Sequence, residues 1–268
     1  MPSRFNRILE TLPASLRAAL LPIVCAPEFS ASFTPRQVAT ICAQSKLDLQ
    51  SFTLALLPLA ASYARSPLSG FNVGAIARGV SGHLWLGANM EFGDTTLQQT
   101  VHAEQSAIVH AWMQGEDSLL DITVNCTPCG HCRQFMNELN CGPDLIIQLP
   151  DRPAAPLSHY LPHAFGPQDL NVTSLLMDNV NHAMQAEGDE LTMLALKAAN
   201  RSYAPYTAAW SGLALETYNS IGSVVPVLKV PLSIPACPRF RPRSLCLIWR
   251  VNPSGTYVVP FWQNAQTR

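Results

Sequence analysis

Residues 101–132, VHAEQSAIVHAWMQGEDSLLDITVNCTPCGHC, hold a His, a Glu two positions later and two Cys three apart behind a Pro. That spacing constrains the chain more than any other feature. It suggests ligands gathered around one object, carried on runs that alternate in period. TLQQTVHAEQSAIVHAWMQG has its apolar residues at helical spacing and stops at Gly115. LLDITVN reads as a strand, CGHCRQFMNEL as a helix and DLIIQLP as a strand. Upstream, FNVGAIARGV and HLWLGANM, joined by SG, read as a hairpin. Strands alternating with helices predict an α/β layered unit ending near Pro150.

Residues 1–48 read as a helical N-terminal segment, with Thr34 and Gln37 at capping-box spacing. The domain that carries the His and Cys cluster is expected over 49–150, opening with the helix LDLQSFTLALLPLAASYA. Residues 150–170 carry five Pro and predict an extended, semi-rigid linker. Helical patterns resume at NVTSLLMDNVNHAMQA and DELTMLALKAAN, giving a linker-and-helix segment over 151–188 and a second domain over 189–268. AASYARSPLSGFNVGAIA and AANRSYAPYTAAWSGLAL align without gaps at an offset of 138, matching Ala60, Ala61, Pro67 and Gly74 to Ala198, Ala199, Pro205 and Gly212. The expectation is a degenerate duplicate that lacks the His/Cys cluster.

The chain has 268 residues, 48% hydrophobic and 13% charged, which is globular composition. The start reads as an amphipathic helix and the most apolar internal run is too short to span a bilayer, so a cytoplasmic protein with reduced thiols is expected. The formal charge of −1 offers no global positive field for nucleic acid or anionic membrane.

Thiolates at a helix start, where N–H groups are free, are zinc ligands, although a C-x-x-C alone reads equally as a redox pair. His102 could add a neutral imidazole. Three protein ligands leave a fourth zinc position open, the pattern of catalytic sites. His131 lies between the two Cys and is expected to point away from their shared face. Cys126 is expected to pack as a small buried thiol, and His110 to lie too far along its helix to share an ion with His102. Glu104 is close enough to exchange protons with whatever fills the open position.

H-A-E followed by P-C-x-x-C is a zinc deaminase signature. Through SPLSGFNVGAI, GANMEF, TVHAEQSAI, TPCGHCRQFMNE and LPHAFGPQDL the chain resembles the cytidine deaminases, in their two-domain homodimeric form, from about residue 1 to Glu216. The resemblance implies hydrolytic deamination of cytidine and deoxycytidine to the uridines with release of ammonia. It implies one Zn2+ per subunit on His102, Cys129 and Cys132, with Glu104 as the proton carrier. Asn89 and Glu91 match a ribose-binding pair, Phe71 an aromatic lining the pyrimidine pocket, and Phe165 an aromatic reaching a pocket. The implied fold is three-layer α/β/α around a mixed five-stranded sheet, the implied substrate a small nucleoside, and the implied assembly a homodimer whose sites are built partly by the partner subunit.

The segment from Thr217 departs from the resemblance. It has seven Pro, six basic residues and no acid, whereas residues 1–216 hold all 18 acids and 11 basic residues, a formal −7. With suitable codons, shifting KVPLSIPACP by one nucleotide can read ESAAFNPSLP, close to a segment the resemblance leads one to expect there. The tail from about 217 is therefore expected to be translated out of frame, and the gene sequence decides it. Two other functions stay open: a polynucleotide (tRNA) deaminase, which the −7 disfavours, and a structural zinc, dimerisation or inactive relative.

Overall fold

Thr34 and Gln37 cap a helix as their spacing predicts. The Gln37 N–H donates to Thr34 Oγ1 at 3.3 Å, and the Thr34 N–H donates to Gln37 Oε1 at 2.8 Å. The helix they start is α3 (Pro35–Ser45), preceded by α1 (Ser3–Thr11) and α2 (Ala14–Val24) and followed by α4 (Leu49–Ala61). Asp48 caps α4 by accepting the Ser51 N–H at 2.6 Å. The computed structural model describes residues 3–217, 220–226, 247–252 and 255–260, with burial described over 5–214. The chain divides into two units, Met1–Ala164 and Phe165–Arg268. Among the described residues no helix is long and apolar enough to cross a membrane.

The first unit is built on one mixed sheet of β1 (Ser32–Phe33), β2 (Gly74–Gly79), β3 (Leu84–Ala88), β4 (Leu119–Val124), β5 (Ile146–Gln148) and β6 (Ala155–Pro156). Its order is β1-β3-β2-β4-β5-β6. β2 and β3 form the expected hairpin, with Gly82 at φ +82° in its turn. β4 and β5 run parallel, and the remaining pairs are antiparallel. Six strands stand where five were expected. β1 and β6 are two residues each, too short for a periodic signal, and they pair at the two edges of the sheet.

Side-chain alternation divides the sheet into two faces. Ile76, Leu84 and Leu86 face the N-terminal helices, in a core with fully buried Phe33, Phe52, Leu56 and Leu59. Full burial of each such side chain contributes about 1.5–3 kcal/mol. The opposite face receives α5 (Ala103–Met113). Two glycines set the close approach of these layers. A Cβ on Gly74 would lie 2.4 Å from Ala61 N of α4, and one on Gly87 would lie 2.2 Å from Ala107 N of α5. Because Gly87 meets helix backbone, which cannot rotate away, Gly87→Ala is expected to destabilise the fold by about 3 kcal/mol, read as a lower urea midpoint. An unchanged midpoint would remove Gly87 as the spacer of this layer.

The Pro-rich stretch is only partly the extended linker expected of it. It also supplies β6, α7 (Leu157–Tyr160) and a short 3-10 turn at Pro167–Leu170. Leu157 is the anchor, buried to 1% with its N–H donated to Leu145 O at 2.8 Å.

The second unit contains α8 (Glu190–Asn200), capped by Asp189, and the antiparallel hairpin β7 (Gly212–Thr217) and β8 (Ser220–Pro226). A further antiparallel pair joins β9 (Leu247–Asn252) to β10 (Gly255–Pro260). The helix expected over NVTSLLMDNVNHAMQA does not form. Its polar residues bond to backbone instead: the Leu175 N–H donates to Asp178 Oδ2 at 2.7 Å. Tertiary bonds fix the rest, with the Met184 N–H donating to Asn200 Oδ1 at 2.7 Å. Leu176 and Met177 are buried without helical turns between them. Gly212 stands to α8 as Gly74 does to α4. A Cβ there would meet Ala195 O at 2.2 Å and Ala199 N at 2.3 Å, 138 positions after the Leu57 O and Ala61 N that Gly74 meets. The expected out-of-frame tail lies largely outside the described residues; β8, β9 and β10 are its described parts.

Candidate active site

Both ligand groups stand at helix starts. His102 is the residue before α5, in extended conformation, and its N–H donates to Gln105 Oε1 at 3.0 Å. Cys129 is the residue before α6 (Gly130–Met136), also extended, which puts Cys132 one turn further on the same side. One donor atom each from His102, Cys129 and Cys132 lies within 4.8 Å of the others. Cys129 Sγ is 3.5 Å from His102 Nδ1. Among the described residues this is the one His/Cys/Asp/Glu group of that kind.

The electrostatics of the three are shared. The Cys129 thiol is pulled down to about 3, first by the hydrogen bond from Cys132 and then by His102. Cys132, fully buried, is pushed up by that same bond and by burial. His102 is raised chiefly by its bond to Cys129. The three side chains form a soft nitrogen–sulfur donor set that fits a zinc ion.

Glu104 lies in the first turn of α5, buried to 4% exposure. Burial pushes its carboxyl up, offset in part by its own backbone N–H and by the neighbouring Cys132 side chain. A carboxyl that can hold a proton thus sits against the donor set. His131 does not join the donor group: its ring stacks on that of His102, with centroids 5.3 Å apart. His110 is likewise elsewhere, buried with Nδ1 3.0 Å from Leu86 O. Cys126 is partly buried rather than fully packed.

Asn89 and Glu91 are both buried, and both brace the segment between α4 and β2. Asn89 Nδ2 donates to Phe71 O at 2.8 Å, and Asn89 Oδ1 accepts the Val73 N–H at 2.8 Å. Glu91 Oε2 accepts the N–H groups of Leu68 and Ser69 at 2.8 and 3.0 Å. Phe71, on that segment, is 57% exposed. Phe165 opens the second unit and is 54% exposed.

Sequence reasoning passed over Arg133. Its Nε donates to Pro128 O at 2.7 Å, and a guanidinium NH1 donates to Tyr160 O at 2.9 Å. The fork ties the turn carrying Cys129 to α7. The signal was present: a cation immediately after the Cys pair, four residues beyond Cys129. Arg133→Ala is expected to speed zinc release to a chelator about tenfold, and Arg133→Lys to restore little, because an ammonium cannot bridge both carbonyls in that geometry. Equal release rates in all three proteins would dismiss the clamp.

Two family profiles, both described as the cytidine and deoxycytidylate deaminase zinc-binding region, match residues 48–147 and 157–224. A cytidine deaminase of Yersinia pseudotuberculosis serotype IB (strain PB1/+) is 58% identical over 220 residues, 82% of this chain and 75% of its own. One from Klebsiella pneumoniae (strain 342) is 58% identical over 216 residues, 81% of this chain and 74% of its own. A crystal structure of cytidine deaminase from Mycobacterium tuberculosis is 32% identical, covers 43% of this chain and 96% of its own, and gives a TM-score of 0.40. With the relatives' identity sustained over most of both chains, and the His/Cys/Cys group and its carboxyl at two helix starts, this chain belongs to the cytidine deaminase family.

Proposed function

We propose that this chain catalyses the zinc-dependent hydrolytic deamination of cytidine and deoxycytidine to uridine and deoxyuridine with release of ammonia. The observation that carries the reading is the buried Glu104 carboxyl set against His102, Cys129 and Cys132 at the starts of α5 and α6. Those three residues would hold the ion. When bound, zinc supplies the Lewis acidity that makes water nucleophilic at neutral pH.

Glu104 takes the proton from the attacking water, delivers it to ring nitrogen N3, and carries the next proton to the departing amino group. Water adds at C4, the C–N bond breaks, and one ammonia leaves. Burial raises the affinity of Glu104 for the proton it must carry. Asn89 and Glu91 serve the sugar hydroxyls with the hydrogen-bonding capacity left over from bracing the chain: Asn89 keeps one N–H and a lone pair. Phe71 covers the pyrimidine, and Phe165 reaches a pocket.

The remaining organisation belongs to the same reading: a helical segment over 1–48, a catalytic domain over 49–150, a connecting segment over 151–188, and a degenerate duplicate over 189–268 altered from about 217. The matching contacts of Gly74 and Gly212 support the duplication. The protein acts in pyrimidine salvage in the cytoplasm, as a homodimer. The formal −7 of residues 1–216 supports a free nucleoside over a polynucleotide substrate. The test is ultraviolet monitoring of free cytidine and of a cytidine-containing oligonucleotide with the purified, zinc-quantified protein. Turnover of cytidine alone is expected; turnover of the oligonucleotide alone would overturn the reading.

A further inference from the structure

The segment between α4 and β2 is held by a chain of bonds that joins Glu91 to Phe71 through Ser69. Gly70, at φ +66° with open space around it, turns the chain, and its N–H donates to Ser66 O at 2.9 Å. The turn brings Ser69 back onto Glu91. The Ser69 N–H donates to Glu91 Oε2, and the Ser69 hydroxyl donates to Glu91 Oε1. The same hydroxyl oxygen accepts the Phe71 N–H at 3.0 Å.

The polarity of this chain of bonds is fixed. The Phe71 N–H occupies a lone pair of Ser69 Oγ, and an ionised carboxylate can only accept, so the one hydroxyl proton goes to Glu91. Phe71 is then gripped at both ends of its own backbone unit: its N–H by Ser69, its carbonyl by Asn89 Nδ2 at 2.8 Å. Of the two grips, the first runs entirely through one hydroxyl. Glu91 also depends on it. The Ser69 hydroxyl is the largest cause holding that carboxyl below the usual carboxylate range.

We infer that Ser69 is a positioning residue for the nucleoside, the link through which the sugar-binding carboxylate of Glu91 sets the place of Phe71 against the pyrimidine. The inference rests on the functional reading above, since it takes Glu91 and Phe71 to contact substrate. Ser69 itself touches neither zinc nor the reacting atoms. Its loss should therefore weaken binding of the whole nucleoside more than it slows the chemistry.

The experiment compares wild-type, Ser69→Ala and Ser69→Thr proteins, zinc-loaded, for KM and kcat on cytidine. Backbone amide exchange at residues 68–71 is followed in parallel. Ser69→Ala is expected to raise KM about tenfold, to lower kcat less than threefold, and to speed exchange of the Phe71 amide. Ser69→Thr keeps the hydroxyl at an exposed position and is expected to restore KM to within threefold of wild type. A Ser69→Ala KM within twofold of wild type, with wild type active, overturns the inference alone. So does failure of Ser69→Thr to restore KM, which would make the side chain's shape rather than its hydroxyl the cause. Zinc-loaded wild type that turns over no cytidine overturns the functional reading, and the substrate side of this inference with it.

Discussion

Glu104→Gln is expected to lower cytidine turnover by about 10^3- to 10^4-fold, while zinc stays at one per chain. The substitution keeps volume and shape, so the first turn of α5 has no packing reason to move. An amide also keeps an oxygen in the place the carboxyl now fills beside Cys132. What it cannot do is take up a proton and give it back. The measurement is kcat for cytidine by ultraviolet absorbance, with elemental analysis of the same preparations. A variant within tenfold of wild type would mean that protons travel by another route, and Glu104 would be left as a buried acid at a helix start.

Cys132→Ala is expected to reduce zinc to less than a tenth of stoichiometric and cytidine turnover to background. Cys132 is wholly buried, and its sulfur stands beside both Cys129 and Glu104, so one substitution removes a ligand and disturbs the other two groups. Loss of a single buried sulfur costs the fold only about 1 kcal/mol in packing, so circular dichroism should still report the sheet. Cys132→Ser supplies a nearly isosteric control. Its hydroxyl stays protonated where a thiolate is needed, so it too is expected to lack the metal. Stoichiometric zinc with retained turnover in both variants would show that the ligand set is not the one named.

Much of the site is legible in the sequence itself. Ligand positions at helix starts follow from P-C-x-x-C and from an apolar-periodic run that begins at His102, because capping and periodicity are local properties of the chain. The same locality made α3, α4 and the β2–β3 hairpin readable. NVTSLLMDNVNHAMQA shows where locality ends. Its apolar spacing suits a helix, but Asp178 and Asn200 offer its backbone other partners, and the second of these comes from a neighbouring element. Asn89 and Glu91 show another limit. The resemblance marks them as a sugar-binding pair, yet nothing in the sequence reveals that both also hold the backbone 16 to 23 positions earlier. Arg133 was visible as a charge beside the Cys pair, but its two carbonyl partners come from separate segments that only the fold brings together.

Every residue of α5 from Ala103 to Trp112 is buried, and Gly87 leaves no space between that helix and the sheet beneath it. Such an element has almost no room for a larger side chain. Engineered changes of preference among nucleobase analogues are therefore expected to come from the connecting segments around it, where Leu68, Phe71 and Leu97 face outward. The hydrolytic machinery is thus carried on a block that resists enlargement, while its surroundings leave space for it.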